Sequence, residues 1–332
     1  MELFNSALGK NITFVHPKFF IIGGLTGIPN ITFYYVFLFF VYIVSVVGNT
    51  VVMAVIYLDH NLRTPKYIAV FNLAFVDLTA LIPKLLDTFL FDRRYIVYEA
   101  CLSYMFFVFF FGGVQSWTLV TMAYDRLIAI CFPLRYHSIV TKTSITSMLL
   151  FIWLVTLSLT TLVVGLINRL SFCDSVVVKS FFCDHGPIYR LACNDPSLNI
   201  IMANVVVSIG VFIPLIFIAC TYVCISIALS KIASGEERLK ALKTCTSHLI
   251  LVAILFLPFV VTNIAVWTSY IHPNARIINS TLTHTIPALI NPIVYALKTE
   301  EVMNAVKKLW KINNISSPLC KRNNVSNTVT KW

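Results

Sequence analysis

Residues 100–124 run for 25 positions without a single Asp, Glu, Lys or Arg, and the chain repeats this behaviour along its length. A helix crosses the hydrocarbon of a bilayer in roughly 20 apolar residues, and helices and closed barrels alone satisfy their own backbone groups there. Uncharged runs long enough to cross span 19–58, 100–124, 143–168, 196–230, 244–275 and 277–297. A seventh, about 67–90, is interrupted by Asp77, Lys84 and Asp87 but is otherwise strongly apolar. Only 12% of the residues are charged, against about 25% in soluble domains, and mean hydropathy is +0.84. The pattern predicts an all-α membrane protein: a seven-transmembrane helix bundle over 33–297, with residues 1–32 before it and a cytoplasmic segment over 298–332.

Basic residues set the orientation of such a bundle. With the N-terminus outside, the cytoplasmic segments hold sixteen Lys and Arg and the outer segments eight, leaving Lys84 within a helix. The net charge of +11 is then a cytoplasmic excess and gives no reason to expect nucleic acid. Asn11 and Asn30 open glycosylation sequons before the first helix, the expected sites of glycan, whereas Asn314 and Asn324 fall on the cytoplasmic side. Asn279 opens another near the last outer loop, close to the membrane. No cleavable signal peptide is evident, so helix 1 acts as the insertion signal.

Of nine cysteines, Cys101, Cys173, Cys183 and Cys193 lie on the outer side, where disulfides persist; four allow three pairings. Cys131, Cys220, Cys224 and Cys245 read as apolar packing. Cys320, in the basic tail, is equally readable as a palmitoylation site or a free thiol. Residues 299–311 predict a short amphipathic helix, capped by Thr299 and led by Glu300 and Glu301. Its apolar face carries Val302, Val306, Leu309 and Trp310, and Lys307, Lys308 and Lys311 reach toward lipid headgroups of the bilayer.

Nothing in the chain suggests an enzyme: it has no phosphate-cradling Gly loop, no His-Glu-x-x-His and no nucleophile elbow. A transporter would show an internal repeat and interrupted helices around a midplane site, and no repeat is found. Lys84 and Asp87, three apart, read as a mutual pair, with a ligand charge as the alternative. His185 beside Cys183 raises a metal site, to which the sequence offers little else; no metal is expected.

The motifs form a family likeness. Gly48-Asn49, "NLAFVD", Trp153 and "NPIVY" resemble rhodopsin-like G-protein-coupled receptors, while "MAYDRLIAICFPLRY", "KALKTCTSHL" and "IPKLL" are similar to vertebrate odorant receptors. "TPKYIAVFNLAFVDL" resembles the teleost-type branch. Helix 6 has Phe256, not Trp, two residues before Pro258, which fits odorant receptors better than the wider family; the helix 3 and helix 6 signatures argue against a peptide or lipid receptor.

The resemblance implies Cys101–Cys183 and Cys173–Cys193 bridges. It implies a switch in which Asp125 restrains Arg126 at rest, with Tyr295 nearby and Glu236 or Glu237 as uncertain further partners of Arg126. It groups Asp77 with Asn49 and Asn291 in a polar core with room for a sodium ion. It places a small-molecule odorant among Val108, Phe109, Gly112, Ser208, Val211, Phe259, Asn263, Thr281 and His284. No acid lies in helix 3 between Glu99 and Asp125, so the expected cavity is mainly apolar, with Ser208, Asn263 and His284 as polar anchors. The implied function is a plasma-membrane receptor, N-terminus extracellular, that activates a stimulatory olfactory-type heterotrimeric G protein and raises cyclic AMP.

Overall fold

The computed structural model describes residues 2–5, 10–25, 30–79, 94–232, 234–268, 272–298 and 301–308. The bundle is built from α1 (Thr32–Leu58), α2 (Pro65–Leu78), α3 (Tyr98–Cys131), α4 (Lys142–Gly165), α5 (Ser197–Ser230), α6 (Gly235–Thr268) and α7 (Pro273–Lys298), with a short α8 over 301–308. Their ends follow local chemistry. Pro65 opens α2 where a missing N–H costs nothing. Thr141 caps α4 by accepting from Ser144 N at 3.1 Å. Glu99 and the Glu236–Glu237 pair sit in the first turns of α3 and α6, facing the positive end of each helix.

Among the described residues, α1, α3, α4, α5 and α6 are long and apolar enough to cross a membrane. α2 is described only to Leu78. α7 is diluted by polar residues that bond inside the bundle: Asn279 Nδ2 donates to Pro258 O at 3.0 Å and to Thr262 Oγ1 at 2.5 Å, both on α6. Outward, the helices present Phe33, Phe40, Leu150, Phe151, Leu154, Ile216, Val223 and Leu257 in the open. Apolar surface on that scale belongs in lipid.

Inside, side-chain amides tie helices together. Asn49 Nδ2 donates to Ser45 O and to Ala288 O, each at 2.9 Å, tying α1 to α7. Asn72 donates to Thr118 Oγ1 and accepts from Trp153 Nε1, each at 2.9 Å, so one amide joins α2, α3 and α4. Two glycines let helices touch. A Cβ on Gly48 would lie 2.9 Å from Pro292 Cγ, and one on Gly113 would lie 2.6 Å from Thr156 Cγ2.

The uncharged run 19–58 is not one helix. Its first residues form a strand, because Gly24, with φ 63°, turns the chain before α1 can start. A hairpin of β1 (Glu2–Asn5) and β2 (Lys10–Thr13) precedes it. β3 (Phe19–Ile22) is the central strand of a three-stranded sheet, antiparallel to β4 (Tyr95–Val97) and parallel to β5 (Val177–Val178). Phe20 and Ile22 alternate inward with Ile96 and Val178 to bury a small core. The sheet thus stitches the amino-terminal segment to the start of α3 and to the α4–α5 loop.

Candidate functional site

The same loop carries both bridges, Cys101–Cys183 and Cys173–Cys193, with Cα–Cα separations of 5.5 and 5.9 Å. The first ties it to the top of α3, which lays Phe182 over the mouth of the bundle. Beneath Phe182 lies a cavity of about 200 Å³ between α3, α5, α6 and α7. On α3 its wall is Val108, Gly112 and Ser116, each one helical turn apart, with Phe109 beside them. A Cβ on Gly112 would meet nothing within 4 Å, so the cavity owes part of its depth to that glycine. The floor is Leu255 and Phe256, and His284 stands edge-on to Phe182 and Phe259, with ring centroids 5.3 and 5.5 Å apart. α5 passes the cavity through a π-turn over Ser208–Phe212, which loosens its carbonyl ladder; Ser116 Oγ donates across to Gly210 O at 2.6 Å.

A second, smaller space of about 40 Å³ lies below. Val108, Gly112 and His284 line both spaces, and Asp77 and Gln115 close the lower one. Asp77 is buried, and its carboxylate is satisfied twice: Asn291 Nδ2 donates to Oδ2 at 2.7 Å and Gln115 Nε2 to Oδ1 at 2.8 Å. Asn49 takes no part in this contact. A sodium ion needs oxygen ligands, and here the two amides present N–H groups to the carboxylate instead. The donor set suits a hydrogen-bonded Asp and does not form a cation cage.

At the far end of α3 a cleft of about 500 Å³ opens among Arg126, Lys66, Lys243, His248, Tyr295 and Glu301. Asp125 Oδ2 pairs with Arg126 Nη2 at 3.4 Å, and its other oxygen accepts from Tyr136 OH at 2.7 Å. Glu236 and Glu237 are exposed. His248 is buried between helices. Its Nε2 meets Leu119 O at 3.0 Å, a pure acceptor, so Nε2 carries the proton and Nδ1 accepts from Tyr222 OH at 2.9 Å. Tyr295 OH reaches Met122 Sδ at 3.6 Å. Glu301, at the start of α8, receives Tyr67 OH and pairs with Lys66 Nζ at 3.5 Å, so α8 is fastened to α2. Tyr67 and Lys66 together draw the Glu301 carboxyl below its ordinary range.

One long helix therefore carries a roofed, mainly apolar cavity at one end and a restrained Arg at the other. Residues 38–312 match the profile of the olfactory receptor family. Olfactory receptor 5K16 of Mus musculus is 37% identical over 307 residues, covering 89% of this chain and 93% of its own. Olfactory receptor 1 of Rattus norvegicus is 35% identical over 289 residues, covering 84% and 89%. The chain belongs to the olfactory receptor family. The fold is that of the rhodopsin class: the crystal structure of squid rhodopsin superposes with a TM-score of 0.69 at 16% identity, covering 93% of the receptor and 94% of that chain. It is a multi-pass membrane protein and a receptor for odorants that acts through a G protein, with no catalytic chemistry of its own.

The residues expected around the ligand divide. Val108, Phe109, Gly112, Val211, Phe259 and His284 line the 200 Å³ cavity. Ser208 does not: it is exposed, and its hydroxyl donates to Asn204 O at 2.8 Å. On α5 the inward face is Val206, Val207, Gly210 and Val211, around the start of the π-turn. Thr281 is buried but sits one residue off the inward face made by Ser280, Thr283 and His284, and bonds back to Ile277 O at 3.0 Å. The Asn263 side chain lies outside the described residues, as do Lys84, Asp87, Thr299, Glu300, Asn314, Cys320, Asn324 and the side chain of Asn11. Asn30 stands at the turn before α1 with φ 54°. Residues missed from the sequence are Ser116, one more turn along the Val108–Gly112 face, and Phe182, whose place follows from the bridge at Cys183. Cys183 beside His185 is taken up in its disulfide, and among the described residues no three His, Cys, Asp or Glu cluster.

Proposed function

We propose that the receptor lies in the plasma membrane with its N-terminus outside, binds its odorant in the cavity beneath Phe182, and activates a stimulatory olfactory-type G protein to raise cyclic AMP. The wording of residues 64–78 favours the teleost-type branch. The observation that carries the mechanism is the geometry of α3, which presents Gly112 to the cavity and Arg126 to the opposite cleft. Fourteen residues apart on one helix, they are separated by about 21 Å. An odorant that fits the cavity better when α3, α6 and α7 are rearranged shifts a pre-existing equilibrium toward that arrangement. The shared wall at Gly112 and His284 puts the odorant next to the Asp77–Asn291 contact, and so next to α7. At the other end, Arg126 leaves Asp125, and Tyr295 and His248 line the space into which a G protein docks. Asn11 and Asn30 carry glycan, which glycosidase digestion of single Asn→Gln variants reads directly; sugar on Asn314 would invert the topology.

The test is a cyclic-AMP response to a broad odorant panel in cells displaying the receptor, beside Arg126→Ala at matched surface level. The wild type should respond to at least one odorant and Arg126→Ala should lose most of that response. Full signalling by Arg126→Ala would sink the assigned role.

A further inference from the structure

Above the apolar cavity lies a second chamber of about 240 Å³, and its chemistry is different. The two share Phe109, Asp184, Val206, Val207, Thr262 and Ser280, so they are upper and lower parts of one continuous space. Only the upper part is lined by Lys179, Arg190 and Arg276, and among the described residues its one acid is Asp184. None of these cations makes an ion pair with a described residue. Asp184 is a single acid facing three cations; burial pushes its carboxyl above the ordinary range, against the backbone N–H groups of Gly186 and His185 and the charges of Arg276 and Arg190.

A second observation points to a ligand. His185 lines the same chamber, is only 2% exposed, and its Nε2 has no hydrogen-bond partner among the described residues. A polar atom left buried and unbonded is costly, so this one invites a hydrogen-bonding partner. The ring is held by edge contacts to Phe109 and Tyr189, with centroids 6.4 and 5.2 Å away. Burial holds its pKa at about 4, so the imidazole is neutral at neutral pH and one ring nitrogen can donate to an acceptor.

We propose that the upper chamber binds the anionic head of an amphiphilic odorant, a carboxylate or sulfate, through Arg276, Lys179 and the His185 imidazole, while its apolar body fills the lower cavity. This rests on the odorant cavity assigned above and names the class of ligand it takes. Arg276 sits at the start of α7, so the same contact pulls on the helix that carries His284 and Asn291. Arg190, exposed at the rim, draws anions toward the mouth.

Decanoate, decyl sulfate and decanol are the probes, read as cyclic-AMP dose–response and as thermal stabilisation of the receptor in nanodiscs. The anions should act at about tenfold lower concentration than the alcohol, the difference one charge-assisted contact makes. Arg276→Gln should erase that preference and leave decanol unmoved. Lys179→Gln, at an exposed position that folding does not need, should reduce it in the same direction. Anions no better than decanol in either measurement overturn the proposal, as do variants that weaken anion and alcohol alike. Gly112→Trp separates the two levels. If filling the lower cavity leaves every response intact, the cavity assignment itself fails. If it silences them while Arg276→Gln changes nothing, only the anion site fails.

Discussion

The two ends of the bundle are held by different kinds of force. At the cavity end, two disulfides, a three-stranded sheet and a cluster of aromatic side chains fix the loop over the cavity. At the Arg126 end, the contacts are single exchangeable bonds: Asp125 with Arg126 and Tyr136, Tyr222 with His248, and Glu301 with Lys66 and Tyr67. A covalent clasp has one geometry, whereas bonds worth about 1 kcal/mol net can be traded for others of equal worth. Recognition needs the first and switching needs the second. α3 belongs to both ends, stapled at Cys101 and free to exchange partners at Arg126.

The largest expected effect comes from breaking the rigid end. Cys101→Ser opens a loop of 82 residues, and loss of such a link costs roughly 4 kcal/mol in the chain-entropy account. Surface receptor, read by antibody on intact cells, should fall severely; undiminished surface display would mean that the sheet alone holds the loop. Next comes the exchangeable end. Asp125→Asn removes the counter-charge of Arg126 and should raise basal cyclic AMP about tenfold. Tyr136→Phe removes one hydrogen bond to the same carboxylate and should raise it by about fivefold or less. If Tyr136→Phe exceeds Asp125→Asn, the restraint resides in the loop and not in the ion pair. The smallest effect should be Ser208→Ala. An exposed side chain away from the cavity should move any agonist's half-maximal concentration less than about twofold, and a larger shift would bring Ser208 back inside.

What the sequence disclosed and what it withheld follow from range. Helix positions were legible because the absence of charge over some 20 residues is a local property. So was the Val108–Gly112 face, where spacing by four is enough. Ser208 was expected at the ligand from the family likeness alone; the local face of α5 made by Val206, Val207, Gly210 and Val211 leaves it one position off, bonded back to Asn204 O. Gln115 was overlooked because a single amide in an apolar helix carries no signature until Asp77 is brought beside it. Tyr136 was overlooked because it reaches Asp125 only when the loop after α3 folds back. Lack of charge over 19–58 cannot by itself separate a buried strand from a membrane helix; the bundle was expected from residue 33, and α1 starts at Thr32, beyond the turn at Gly24.

β3 has one more consequence, and it concerns the order in which the protein is made. Ile21 pairs with Tyr95 on one side and with Val177 on the other. The ribosome delivers the second partner long after the first, and at 5–20 residues per second the wait is roughly 4–16 seconds. Until then the central strand has one bare edge, and a bare edge is a template for wrong pairing. Every nascent copy passes through this half-closed state. Yield at the cell surface should therefore depend on how well that edge is shielded during synthesis, quite apart from how stable the finished receptor is.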